Sequence, residues 1–159
     1  MTGTCTLEIA GNKVIDAAAS LMLTNISILT GNTLNNNGNI TVDNLSGADA
    51  TSIFNNLSGS TLTINGSLLS TGSLNASFCP NTVIYNGTIA ETIKPTTYCN
   101  IIMNNNGVKT ASSNFDTNGD FTINLNSNIT IGSNIIVQVR GIAITAGSIT
   151  NGGHLFISD

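Results

Sequence analysis

The chain has no tryptophan, two prolines, three cysteines and a single histidine in 159 residues. Only 8% of its residues are charged, and the basic ones are Lys13, Lys94, Lys109 and Arg140. Binding a phosphate backbone requires a cluster of lysine and arginine, so a nucleic-acid partner is excluded. Apolar runs stay far below the ~18 residues of a membrane-spanning helix; the longest candidate, Leu21 to Leu29, is broken by Thr24, Asn25 and Ser27. A Ser-His-Asp triad would have to use His154, which lies in Asn-Gly-Gly-His without a Gly-x-Ser-x-Gly elbow. It reads as a surface-loop residue. Cysteine and histidine also lack metal-ligand spacing. The first residues, Met-Thr-Gly-Thr-Cys, have neither a charged nor an apolar leader segment, which suggests a piece of a longer chain with an added Met1.

What remains is apolar yet uncharged. Hydrophobic residues make up 40% of the chain, mostly isoleucine, leucine and valine, and 25 residues are asparagine. Branched aliphatics suit a pleated surface. Asparagine tolerates left-handed backbone and bonds its own main chain, so it belongs in turns. Apolar residues alternate in short triplets: Leu21/Leu23, Ile40/Val42, Leu62/Ile64, Val83/Tyr85, Ile101/Met103, Phe121/Ile123 and Ile142/Ile144. Alternation marks half-buried strands. The triplets recur about every 20 residues, the mark of a stacked repeat. Further apolar points fall between them, Leu68/Leu69/Leu74, Ile89/Ile93, Val108/Phe115, Ile129/Ile131 and Ile149, and are expected to supply the other faces of each turn.

These features predict an all-β chain forming one right-handed parallel β-helix over residues 1–159, with about 20 residues per turn. About seven turns would give a rod of roughly 35 Å at ~4.8 Å per turn. Asn-Gly pairs are also strong hairpin signals. The likeness of segments one whole period apart favours the solenoid over a hairpin sandwich. Pro80 and Pro95, which cannot donate to a ladder, are expected at corners. Asp16 to Ala19 is the only helix-like stretch, too short to stand alone.

From Ile40 onward the chain resembles a known family. The residues that carry the likeness are NGNITVDN (38–44 with the preceding Asn37), STLTINGSLLSTGSLNAS (60–77) and NTVIYNGTIAETIKPTTYCNIIMNNNGVKT (81–110). They are similar to the repetitive parallel β-helix segments of very large secreted, adhesin-like surface proteins of Bacteroidetes-type bacteria, which share the look of filamentous-haemagglutinin-like proteins. Glu91 stands where glutamine is common, and Cys99 where a second tyrosine or an asparagine is usual. The resemblance implies a β-helix in a secreted, extracellular or cell-surface protein. Its partners would be neighbouring domains, copies of the same chain or cell-surface glycans.

Candidate sites are few. Asp116, Asn118 and Asp120 alternate as in the start of a calcium loop. Phe121 replaces the glycine that loop needs, and Ser127 stands where its bidentate glutamate should be. A solenoid corner before a strand Phe121 to Leu125 is the better reading, and no cofactor is expected. Cys79 and Cys99 lie one period apart, within disulfide reach on adjacent turns; stacked free thiols are the preferred reading. Asp43, Asp49, Glu91, Asp116 and Asp120 fall on different turns and do not gather into the carboxylate cluster of a polysaccharide-degrading β-helix. Hence no enzyme is expected. The middle residues of the triplets, Thr41, Thr63, Ile84, Ile102, Thr122 and Ala143, point outward in this frame. Two isoleucines and an alanine interrupt the threonine rank that ice binding needs. Ile84 and Ile102 form a candidate contact patch, unless the frame slips there by one. The expected function is a structural or adhesive stalk or display rod. The alternatives are a self-assembling filament subunit and a carbohydrate-binding or carbohydrate-degrading β-helix. The strand Leu155 to Ile157, left open towards Asp159, fits either a fragment or a stacking subunit.

Overall fold

A computed structural model describes residues 5–141 and 143–158. It is a parallel β-solenoid of about 7 turns. No helix occurs among the described residues, and every strand pairing is parallel, with partners about 20 residues apart. Each turn has three faces. Short polar corners join them, because the apolar residues come in pairs too short for more than one side.

The first face is the continuous one. Its register runs Leu21↔Ile40, Ile40↔Leu62, Leu62↔Val83, Ile101↔Val83 and Ile101↔Phe121. Ile40, Val42, Leu62, Ile64, Val83, Tyr85, Ile101, Met103, Phe121 and Ile123 are all buried. Ile84 and Ile102 pair with each other, and both are half-buried on the outer side. The expected frame therefore holds across this patch. It fails on the last turn. Ala143 and Thr145, not Ile142 and Ile144, stand opposite Phe121 and Ile123, while Ile144 pairs with Thr122. Ile142 lies outside the described residues.

The strands Ser20–Ile28 and Asn39–Gly47 run from the first face onto the second without a break. The parity of their buried residues slips at the corner, so that Ile40 and Val42 point inward, Asp43 and Asn44 outward, and Leu45 and Gly47 inward again. Further along, the second face consists of Glu91–Thr92, Val108–Ala111, Asn128–Ile131 and Ser148–Asn151. The third face has two stacks. Lys13–Ile15 to Ser73–Asn75 and Thr97–Tyr98 to His154–Ile157 meet through the single bridge Ala76↔Tyr98. Pro80 and Pro95 lie outside the strands, and Asp16 to Ala19 is a turn closed by Ala19 N–H to Asp16 O at 2.9 Å.

Amide ladders hold the corners. After the first face, Asn65 donates to Asp43, Asn86 to Asn65, Asn104 to Asn86 and Asn124 to Asn104, at 2.7–3.0 Å. Each side-chain amide donates to the turn before it. The dipoles thus align head to tail and end on the Asp43 carboxylate. A second ladder, Asn75 to Asn55 to Asn35, runs along the outside of the third face. Inside that face, Asn36 donates to Asn56 and to Thr61 O, and Asn56 donates to Thr82 O. Buried amides are tolerated because these partners satisfy them. Leu125, expected in a strand, is 70% exposed, since the strand ends at Ile123.

Candidate functional site

The repeat is imperfect on the second face, between Leu68 and Glu91. Leu68 bridges back to Leu45, and Glu91–Thr92 pairs onward with Lys109 and Thr110. No ladder joins the two among the described residues. Local backbone explains the gap. Leu69 takes a left-handed conformation (φ 44°) that buries its side chain, and Gly72 (φ 89°) then redirects the chain. The result is a cavity of about 550 Å³, lined by Ser67, Leu68, Leu69, Ile89, Ile93 and Lys94 among others.

Side chains replace the missing ladder bonds. Lys94 Nζ donates to Leu69 O (2.6 Å) and Gly72 O (2.8 Å), spanning the gap. Burial pulls the Lys94 ammonium below its usual pKa. Beneath it, Lys94 N–H donates to Tyr85 Oη (2.8 Å), and Tyr98 O–H donates to Lys94 O (2.5 Å). The two phenol oxygens are 2.9 Å apart. With the Tyr98 proton committed to Lys94 O, the Tyr85 proton must point to Tyr98. The three groups close into a ring of hydrogen bonds. Burial pushes both phenols above their ordinary pKa, so they stay protonated donors. Tyr98 also packs edge-on against Phe115, which meets Phe121.

Next to this ring lies an ion pair that the sequence reading missed. Glu91 Oε2 is 3.2 Å from Lys109 Nζ, with both side chains 0% exposed. Gly87 N–H donates to Glu91 Oε2 at 2.8 Å, and Lys109 also donates to Gly87 O (2.7 Å) and Gly107 O (2.9 Å). The ammonium thus has three acceptors for its three protons. Burial pushes the Glu91 carboxyl up, against the pull of Gly87 N–H and Lys109. Val108 and Ile89, expected to fill this face, are instead exposed at 40% and 67%. The inward position belongs to Lys109, which is in register with Glu91. The available signal was the spacing of Glu91 and Lys109, about one period apart and opposite in charge.

The other candidate residues lie apart from the cleft. Arg140 reaches Asp116 Oδ2 at 3.3 Å and Asn118 Oδ1 at 3.4 Å, so the protein's own cation already faces these oxygens. Asp120 accepts from Ile101 N–H through its carbonyl and donates its own N–H to Asn100 Oδ1. Among the described residues no group of three histidine, cysteine or carboxylate side chains converges on a metal position. Cys79 and Cys99 are joined by a disulfide that ties residues 20 apart, while Cys5 is free and exposed. His154 lies in the strand His154–Ile157, stacked on Phe156. No family model, curated protein or solved structure matches the chain.

Proposed function

We propose that this chain is a structural and adhesive segment of an extracellular bacterial surface or filament protein, serving as a stiff stalk or display rod. The supporting observation is the first face, where seven strands from Ser20–Ile28 to Ala143–Thr145 stack in unbroken parallel register. An unbroken ladder transmits load and fixes spacing along an axis. The Cys79–Cys99 link suits an oxidising environment outside the cytoplasm. The outer surface is asparagine, threonine and serine with little charge, chemistry suited to contacts with neighbouring domains, further copies or surface glycans. The expected work is mechanical and needs no cofactor.

The test is antibody labelling of intact cells that make the protein. Labelling without permeabilisation supports the reading; labelling only after permeabilisation contradicts it. Electron microscopy of the purified chain over a range of concentrations separates the rod from the filament alternative. Discrete short particles fit a stalk, whereas uniform filaments that lengthen with concentration identify a self-assembling subunit.

A further inference from the structure

The cleft in the second face is more than a packing fault. We propose that it is a binding site for a small organic carboxylate with an apolar, preferably aromatic, body. Its volume, about 550 Å³, lies in the range of ligand pockets. Ile89 and the edge of Leu68 give its wall an accessible apolar surface, backed by the buried Leu69 and Ile93, and Ser67 and Ser70 also line it. A flat apolar body would cover the Ile89 side chain, which is otherwise 67% exposed.

Charge selects the sign of the ligand. The charged residues lining the cleft are Glu91, whose side chain is turned into the core, and Lys94. Glu91 Oε2 is matched by Lys109 within the core, while its Oε1 is buried without a hydrogen-bond partner, and the pair as a whole is neutral. Among the described residues the Lys94 ammonium donates to neutral carbonyls, those of Leu69 and Gly72, which use two of its three protons. The third remains for a ligand oxygen. The ammonium is also partly desolvated, as its lowered pKa indicates, and an anion would relieve that cost. A cationic ligand would be repelled by Lys94, and a neutral one would gain nothing from its charge.

The test follows backbone amide chemical shifts of the intact chain during titration with naphthoate, with naphthamide as the neutral match. Naphthoate is expected to shift the amides of Leu68, Leu69, Ser70 and Thr92 and to bind about tenfold more tightly than naphthamide. Lys94 bridges backbone carbonyls, so its removal would disturb the cleft itself. The decisive variant is Ile89→Asp, which adds a carboxylate at an exposed lining position. It should leave amides away from the cleft unchanged and weaken both probes through the lost apolar contact, naphthoate about tenfold more than naphthamide because of the added like charge. Absence of shifts at the cleft, equal affinity for the two probes, or an unaltered Ile89→Asp titration would each overturn the proposal.

Discussion

At the scale of single residues, the buried Glu91–Lys109 pair dominates the energetics. Desolvating two charges is expensive, and the pair is tolerable only because Gly87 N–H and the carbonyls of Gly87 and Gly107 share the load. Lys109→Met leaves the carboxyl without its counter-charge. It is expected to cost about 3–5 kcal/mol in urea unfolding at neutral pH. The double variant Glu91→Gln with Lys109→Met should recover most of that loss; a double variant as unstable as the single would contradict the pairing. The pH dependence has a definite sign. The folded-state pKa of Glu91 is raised above its ordinary 4.5. Between that value and the raised one the folded chain binds the extra proton, so stability falls as pH rises through the window. The stability difference between the wild type and Glu91→Gln should therefore shrink as pH rises from about 4.5. A difference that grows with pH would show a carboxyl stabilised in its charged form. Gly107 sits where a Cβ would meet the carbonyl oxygens of Ile89 and Gly87, so the corner beside the pair has no room for a side chain.

At the scale of the element, the ladders decide register as much as the core does. Asn86 lies mid-ladder, donating to Asn65 and accepting from Asn104 and Asn105. Asn75 ends its ladder in an exposed position with one bond, to Asn55. Asn86→Ala should cost about 1–3 kcal/mol and Asn75→Ala about 0.5 kcal/mol or less, measured by chemical unfolding. Equal losses would mean that the ladders contribute nothing cooperative. Register has its own test. Ile123→Asp places a charge in the core and should unfold its turn, whereas Ile84→Thr on the outer side should change stability by about 0.5 kcal/mol or less. The first face was legible in the sequence because its triplets repeat one inward pattern from Ile40 to Ile123. The last turn was misread because Ile142, Ala143 and Ile144 are all apolar, and alternation cannot choose between frames there. The second face was misread for the opposite reason. The inward position after Val108 is a lysine, and hydropathy alone assigns lysine to solvent. The cleft was invisible because it depends on the left-handed turn at Leu69, a residue type that rarely adopts it. The tyrosine ring was hidden too, since Tyr85 and Tyr98 belong to different faces and meet only inside the rod.

At the scale of the whole molecule, the stack is quasi-one-dimensional, so each turn leans on its neighbours alone. The disulfide between Cys79 and Cys99 ties neighbouring turns together at the corner between the third and first faces, and the unbroken first face carries the stack past the gap in the second. Rigidity along the first face is the central claim, because both the fold and the proposed role as a rod depend on it. It is tested most directly by pulsed electron spin resonance between labels at Met22→Cys and Thr122→Cys in a Cys5→Ser background. The two positions belong to one outward rank, linked through Thr41, Thr63, Ile84 and Ile102. Five rungs of ~4.8 Å predict a single narrow distance of about 24 Å between the two backbones, widened only by the label arms. A broad or multiple distribution, or a single peak beyond about 40 Å, would contradict the continuous parallel stack.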